Sequence, residues 1–130
     1  MNRKIFHAAV FLLLIVMMLC GCGRKSAGSE TAEPLSDEQA LSAVRNYCCA
    51  MNPDLESIVE DAEYPVYWDI HSSDEHEIVI LFRSYTGAQN RYHIDRITGD
   101  TYVTEFVPGI TLEEQRTDER FNVRDYFPEK

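Results

Sequence analysis

The chain has 130 residues, enough for one domain with appendages, and carries 22 acidic against 12 basic side chains, a formal net charge of −10. So acidic a chain repels phosphate backbones, and no basic patch with interleaved aromatics interrupts the excess, which argues against nucleic acid as a partner.

Residues 1–21 read in three pieces: a basic start (Arg3, Lys4), an uncharged run from Ala8 to Leu19, and a small-residue patch around Gly21. That is the layout of a secretory signal peptide. A membrane-spanning helix needs about 20 consecutive apolar residues, and this run stops short of that before Gly21, Gly23, Arg24 and Lys25. The segment Leu19, Cys20, Gly21, Cys22 resembles the lipobox of bacterial lipoproteins, an aliphatic residue and two small ones followed by the cysteine that is lipidated. Within that resemblance Cys22 is the expected anchor: cleavage before it leaves the small Gly21 at the cut, whereas cleavage before Cys20 would leave Leu19. The resemblance implies a thioether-linked diacylglycerol on Cys22 and a protein held at the extracytoplasmic face of the cell membrane. Two acyl chains suffice for stable anchoring, each buried methylene contributing about 0.8 kcal/mol. A plain secreted protein cut near Gly21 is the alternative.

Removing residues 1–21 takes away two basic side chains and no acidic ones, so the mature charge falls to about −12 and the lipid bilayer is met through the Cys22 anchor. Residues 22–34 are small and polar, unable to support a core, and read as a tether. A flexible stretch of about 12 residues reaches about 20 Å.

Ser36 and Gln39 form a capping box with Asp37 and Glu38 in the first turn, which predicts a helix from Ser36. Leu41, Val44, Cys48, Met51 and Leu55 recur at three- and four-residue steps as its apolar stripe. Asn52 before Pro53 ends the helix or caps a short second one through Val59.

From Tyr64 the period becomes two. Tyr64, Val66, Trp68 and Ile70 share one face, as do Ile78, Ile80 and Phe82, followed by Tyr92 and Ile94, then Tyr102 and Phe106. The separators SSDE, TGAQN and TGD are turn chemistry, so the four strands form antiparallel hairpins. The expectation is an α+β domain over residues 35–110, one N-terminal helix packed on a four-stranded antiparallel sheet. Residues 111–130 are expected to be a charged tail, partly docked through Phe121, Val123, Tyr126 and Phe127.

A helix followed by strands, with Tyr92, Asp95, Thr98 and Gly99 marking a strand and its Thr-Gly turn, resembles the PepSY repeat within the broader cystatin-like arrangement, over roughly residues 36–107. The resemblance implies an extracytoplasmic interaction module, in some members restraining peptidases. An NTF2-like cone is the rival fold.

Chemistry-bearing residues form no catalytic or metal-binding signature. Cys48 and Cys49 are adjacent, with Cα atoms about 3.8 Å apart, below the usual disulfide range. His71, His76 and His93 lie in no HExxH and beside no CxxC, so no metal or cofactor is expected. No serine sits in GxSxG. Asp95 and Asp100 read as turn residues rather than calcium ligands. Arg83 and Arg91 on facing strands offer either an anion pocket or cross-strand ion pairs. The expectation is therefore a binding module and not an enzyme, its partner an envelope protein, with an envelope structural lipoprotein or a small-ligand binder as alternatives. A single helix covers one side of a sheet, so Tyr67, Val79, Leu81, Tyr85 and Val103 are expected on the second face, either as an interaction site or beneath the tail aromatics.

Overall fold

The computed structural model describes residues 32–59, 63 and 66–129. The signal segment, Cys22, most of the tether and Tyr64 lie outside the described residues.

The capping box forms as expected: the Ser36 hydroxyl accepts from the Gln39 backbone N–H at 3.2 Å, and the Gln39 side chain accepts from the Ser36 N–H at 2.9 Å. Helix α1 (Asp37–Met51) follows and stops at Asn52, whose extended backbone leaves the helical path ahead of Pro53. A short helix α2 (Leu55–Val59) comes next. The buried side of α1 is Ala40, Ala43, Val44, Tyr47 and Cys48. The stripe is thus displaced from the one expected: small residues let the helix approach the sheet, Leu41 is half-buried, and Met51 is exposed because the helix end overhangs.

Five antiparallel strands follow in simple sequence order: β1 (Tyr67–Ser73), β2 (Glu77–Arg83), β3 (Gln89–Asp95), β4 (Asp100–Phe106) and β5 (Gln115–Asn122). A 3-10 turn (Val123–Tyr126) closes the chain. The expected four-stranded sheet therefore has a fifth strand, drawn from the segment expected to be a tail. Its register with β4 slips between Tyr102 and Thr104, and β1 slips against β2 between Ile70 and Ser72. Such bulges bend and protect the sheet's edges.

The core lies between α1 and one sheet face, where Ile78, Ile80, Tyr92, Ile94 and Val103 are buried and Trp68, Ile70 and Phe82 pack at the margin. In β4 the faces are the reverse of those expected. Val103 pairs with Tyr92 and Thr101 with Ile94, so these smaller residues turn inward and Tyr102 and Phe106 turn outward. Space decides this, since the β5 aromatic occupies the room an inward Tyr102 would need: the Phe121 ring stacks on Tyr47 of α1 at 3.6 Å and 4°, and Tyr126 meets Tyr47 edge-on at 5.0 Å. The tail aromatics close the helix side of the core and leave the second face uncovered.

Turn chemistry tightens the end of the sheet where the chain enters the domain. Asp95 Oδ1 accepts from the Thr98 and Ile97 N–H groups, and Gly99 takes φ +80. A Cβ at Gly99 would also stand 2.7 Å from Asn122 Oδ1, so the position needs glycine for both conformation and space. Asn122 Nδ2 and Arg124 Nη2 donate to the Thr98 and Ile97 carbonyls, fastening this turn to the end of β5.

Arg96 gathers the remaining elements. Its guanidinium donates to the Asp74 and Leu35 carbonyls, the Ser73 hydroxyl and the Asp37 carboxylate, while its backbone N–H reaches His76. The hydrogen bonds from Ser73 and then Arg96 hold the Asp37 carboxyl below its ordinary range, and backbone N–H donors, Thr98 foremost, do the same for Asp95. A carboxyl depressed on folding stabilises the native state above its unfolded value and loses that contribution as pH falls through the folded value. Asp37→Asn is therefore expected to lower stability at neutral pH and to flatten the acid limb below about pH 4. Urea unfolding as a function of pH measures this; curves for the two proteins that run parallel at every pH would contradict it.

Candidate functional site

The uncovered sheet face carries Tyr67 and Asp69 from β1, Val79 and Leu81 from β2, Arg91 and His93 from β3, and Tyr102 and Thr104 from β4. Of the five residues expected to make an interaction face, Tyr67, Val79 and Leu81 share it by register, but Val79 is buried there beneath its neighbours and Leu81 is half-buried, which leaves Tyr67 the exposed one. Val103 does not: it points into the core and is 0 % exposed. Tyr85 lies in the turn between β2 and β3 rather than on a strand. Nor is the face an apolar sheet, because polar side chains occupy its centre.

That centre is a row of coupled groups. The His93 and Tyr102 rings stack at 4.5 Å and 1°, and the Arg116 guanidinium lies 4.0 Å over Tyr102. His93 Nδ1 stands 3.4 Å from Glu77 Oε1, and its Nε2 stands 3.1 Å from the Thr104 hydroxyl. Thr104 donates to Glu114, which also pairs with Arg91 at 3.2 Å. Burial raises the Glu114 carboxyl, but the Thr104 hydrogen bond and the charges of Arg91 and His93 outweigh it and leave the group below its ordinary range. The sequence Thr104, His93, Glu77 has the order of a nucleophile, its base and an orienting acid. A nucleophilic hydroxyl must aim its proton at the imidazole, and Thr104 gives its proton to Glu114. What the row accomplishes is to pin Glu114, the residue just ahead of β5.

Glu114 ends the loop of residues 107–114, whose first half is a tight turn. The Val107 carbonyl accepts from the Ile110 and Thr111 N–H groups, the Thr111 hydroxyl accepts from the Val107 N–H, and Gly109 adopts φ +81. Held at both ends, the loop presents Ile110 at 80 % and Leu112 at 99 % exposure. Met51, Tyr67 and Tyr85 are also exposed large side chains: Tyr67, by register, and Tyr85, in the β2–β3 turn, share the end of the sheet where β2 turns into β3 and β4 into β5, Met51 lies beside Phe82 at the end of α1, and Ile97 is exposed at the opposite end. Ala32–Leu35 enter at the opposite end, beside Arg96 and Arg124. Seven-residue strands separate the two ends by about 20 Å.

Arg83 and Arg91 do not converge into an anion pocket. Arg83 lies over the Tyr67 ring at 5.8 Å, and Arg91 makes the ion pair with Glu114. Cys48 is buried and donates to the Tyr92 hydroxyl at 3.3 Å, and burial pushes both its thiol and that of Cys49 up, so neither is poised as a thiolate. Tyr47 donates to Glu119 at 2.7 Å; burial, then this carboxylate, push its phenol up. A cleft of about 170 Å³ beside these groups, lined by Met51, Leu55 and Phe82, is smaller than the roughly 300–1,000 Å³ usual for ligand sites. His71, at the bulge in β1, and His76, in the β1–β2 turn, are both exposed.

The importance of Glu114 and Arg116 was not legible in the sequence, since both sit in a charged stretch with no periodicity. The signal available was only the Pro108-Gly109 turn followed by two aliphatic residues. Comparison with protein-family models, with curated proteins and with solved structures returned no match.

Glu114→Gln keeps the shape of the side chain and removes the charge that Arg91 engages. Amides of residues 107–114 are expected to exchange several-fold faster with deuterium, while those of β2 and β3 keep their protection. Unchanged exchange in the loop would show that Glu114 does not hold it.

Proposed function

We propose that this chain is a lipid-anchored, extracytoplasmic interaction module and not an enzyme, fastened to the membrane through Cys22 and engaging a protein partner with the end of the domain farthest from the tether. The observation that carries the reading is the projection from that end of Ile110 and Leu112, the most exposed large apolar side chains among the described residues, with Tyr67 and Tyr85 exposed at the same end. Apolar side chains held in water gain free energy when a partner buries them, and a loop already fixed by Val107, Thr111 and Glu114 loses little entropy in docking. The signal-like N-terminus and lipobox support the anchor. The helix laid across an antiparallel sheet, with Asp95, Thr98 and Gly99 building the turn, supports a cystatin-like or PepSY-like assignment and makes an envelope peptidase the first partner to test. A projecting loop requires a concave apolar recess, and the exposed Glu105 and Glu113 beside it favour a basic rim.

Three experiments test this reading. Metabolic labelling with a fatty acid is expected to mark the wild type and Cys20→Ser but not Cys22→Ser; label persisting in Cys22→Ser would refute the anchor. A photocrosslinking residue at position 112 is expected to give a discrete adduct in intact cells, while one at position 97, at the other end, gives none. Leu112→Asp should abolish partner binding and shift stability by less than about 0.5 kcal/mol, as exposed positions do. Equal adducts from both ends would refute the docking surface.

A further inference from the structure

We infer that the groove between β4 and β5 on the outer face is a binding site for a small oxyanion, a carboxylate or phosphate group held by Arg116 and Arg120. The groove measures about 370 Å³ and is lined by Asp100, Thr101, Tyr102, Arg116, Arg120 and Phe121. It falls within the size range of small-ligand sites.

The argument starts from charge. Acidic residues outnumber basic ones almost two to one in this chain, yet among the described residues neither Arg116 nor Arg120 forms an ion pair. Asp100, the carboxylate in the groove, instead accepts from Asn122 Nδ2 at 2.9 Å. The irregular register is what brings the two arginines together. Arg120 pairs with Tyr102 and Arg116 with Thr104, so three β5 residues bulge opposite Val103, braced by the Thr117 hydroxyl donating to the Val103 carbonyl at 3.1 Å. Arg116 thereby lies over the Tyr102 ring while Arg120 is the cross-strand neighbour of the same tyrosine, and both line the groove.

Preorganisation is the second support. Arg116 lies 4.0 Å over the Tyr102 ring, and His93 stacks at 4.5 Å, necessarily on the opposite ring face. His93 is in turn held by the Thr104 hydroxyl at 3.1 Å, with Glu77 Oε1 standing 3.4 Å from its other ring nitrogen. A stacked guanidinium is fixed in plane while its N–H donors, which lie in that plane, stay available at the edge, the geometry suited to bidentate capture of an oxyanion. The site lies on the outer face and shares no residue with the apolar end, so it stands or falls independently of the docking proposal.

The test uses the full-length protein in neutral detergent micelles, with the arginine Nε–Hε resonances followed during titration with sodium phosphate, sodium acetate and, as the ionic-strength control, sodium chloride. Phosphate or acetate is expected to shift the Arg116 and Arg120 signals saturably, leaving those of Arg45 and Arg83 in place. Arg120→Gln, which removes a side chain with no hydrogen bond or ion pair among the described residues, should weaken binding roughly tenfold, as expected for loss of a charge-assisted bond. Phosphatidylglycerol added to the micelles separates the possible sources: the same shifts with lipid alone assign the oxyanion to a headgroup, and shifts only with the soluble salts assign it to a free ligand. Either result supports the site. Shifts reproduced by chloride, spread equally over all four arginines, unchanged in Arg120→Gln, or absent with every probe overturn it.

Discussion

The domain depends first on the Arg96 guanidinium. From the β3–β4 turn this one planar group reaches two elements tens of residues away, satisfying the Leu35 carbonyl and Asp37 carboxylate at the start of α1 and the Ser73 hydroxyl and Asp74 carbonyl at the β1–β2 turn. Guanidinium suits this because its several N–H donors lie in one rigid plane and it stays charged throughout the accessible pH range. The anchored helix start then directs α1 across the sheet, and Ala40 and Ala43 allow the close approach that buries Ile78, Ile80 and Ile94.

A consequence is that the two ends of the domain differ in character. At the Arg96 end, carbonyls and carboxylates are claimed by Arg96, Asn122 and Arg124, and the backbone is tied down by side chains from distant elements. At the other end α1 has stopped at Asn52, the polar ties are those of Thr104 and Arg91 to Glu114, and Ile110 and Leu112 reach water. Side-chain ties to the backbone are thus concentrated where residues 32–35 enter, and the most exposed apolar side chains, Ile110 and Leu112, lie at the other end. The outer face mediates between them: Glu77, His93, Thr104 and Glu114 run across it and reach the apolar loop through Glu114.

The acidic composition also acquires a more local meaning. Most carboxylates are exposed, as expected for a solvated surface, while Asp37, Asp95 and Glu114 are held below their ordinary range because donors converge on them. Arg116 and Arg120, which form no ion pair among the described residues, stand out against that background.

Several elements were legible in the amino-acid sequence by itself because their causes are local. The Ser36–Gln39 box sets the start of α1, Asn52-Pro53 sets its end, the alternation in residues 77–83 makes β2, and Asp95 through Gly99 make a turn that closes on its own backbone. Only the tertiary structure decided the rest. Residues 115–122 contain charges at four of eight positions and show no period of two, so they become a strand through the ladder with β4 and the stacking of Phe121 on Tyr47, a residue 74 positions earlier. The face presented by β4 was equally undetermined, since Tyr102 and Phe106 alternate with Val103 and either set can pack; pairing with Tyr92 and Ile94, and the room taken by Phe121, chose Val103. Arg96 and Arg116 look like any other surface arginines in the chain. Their roles exist only once distant acceptors and an aromatic ring have been brought to them, because hydrogen bonds and stacking act over a few ångströms and sequence neighbours supply none of these partners.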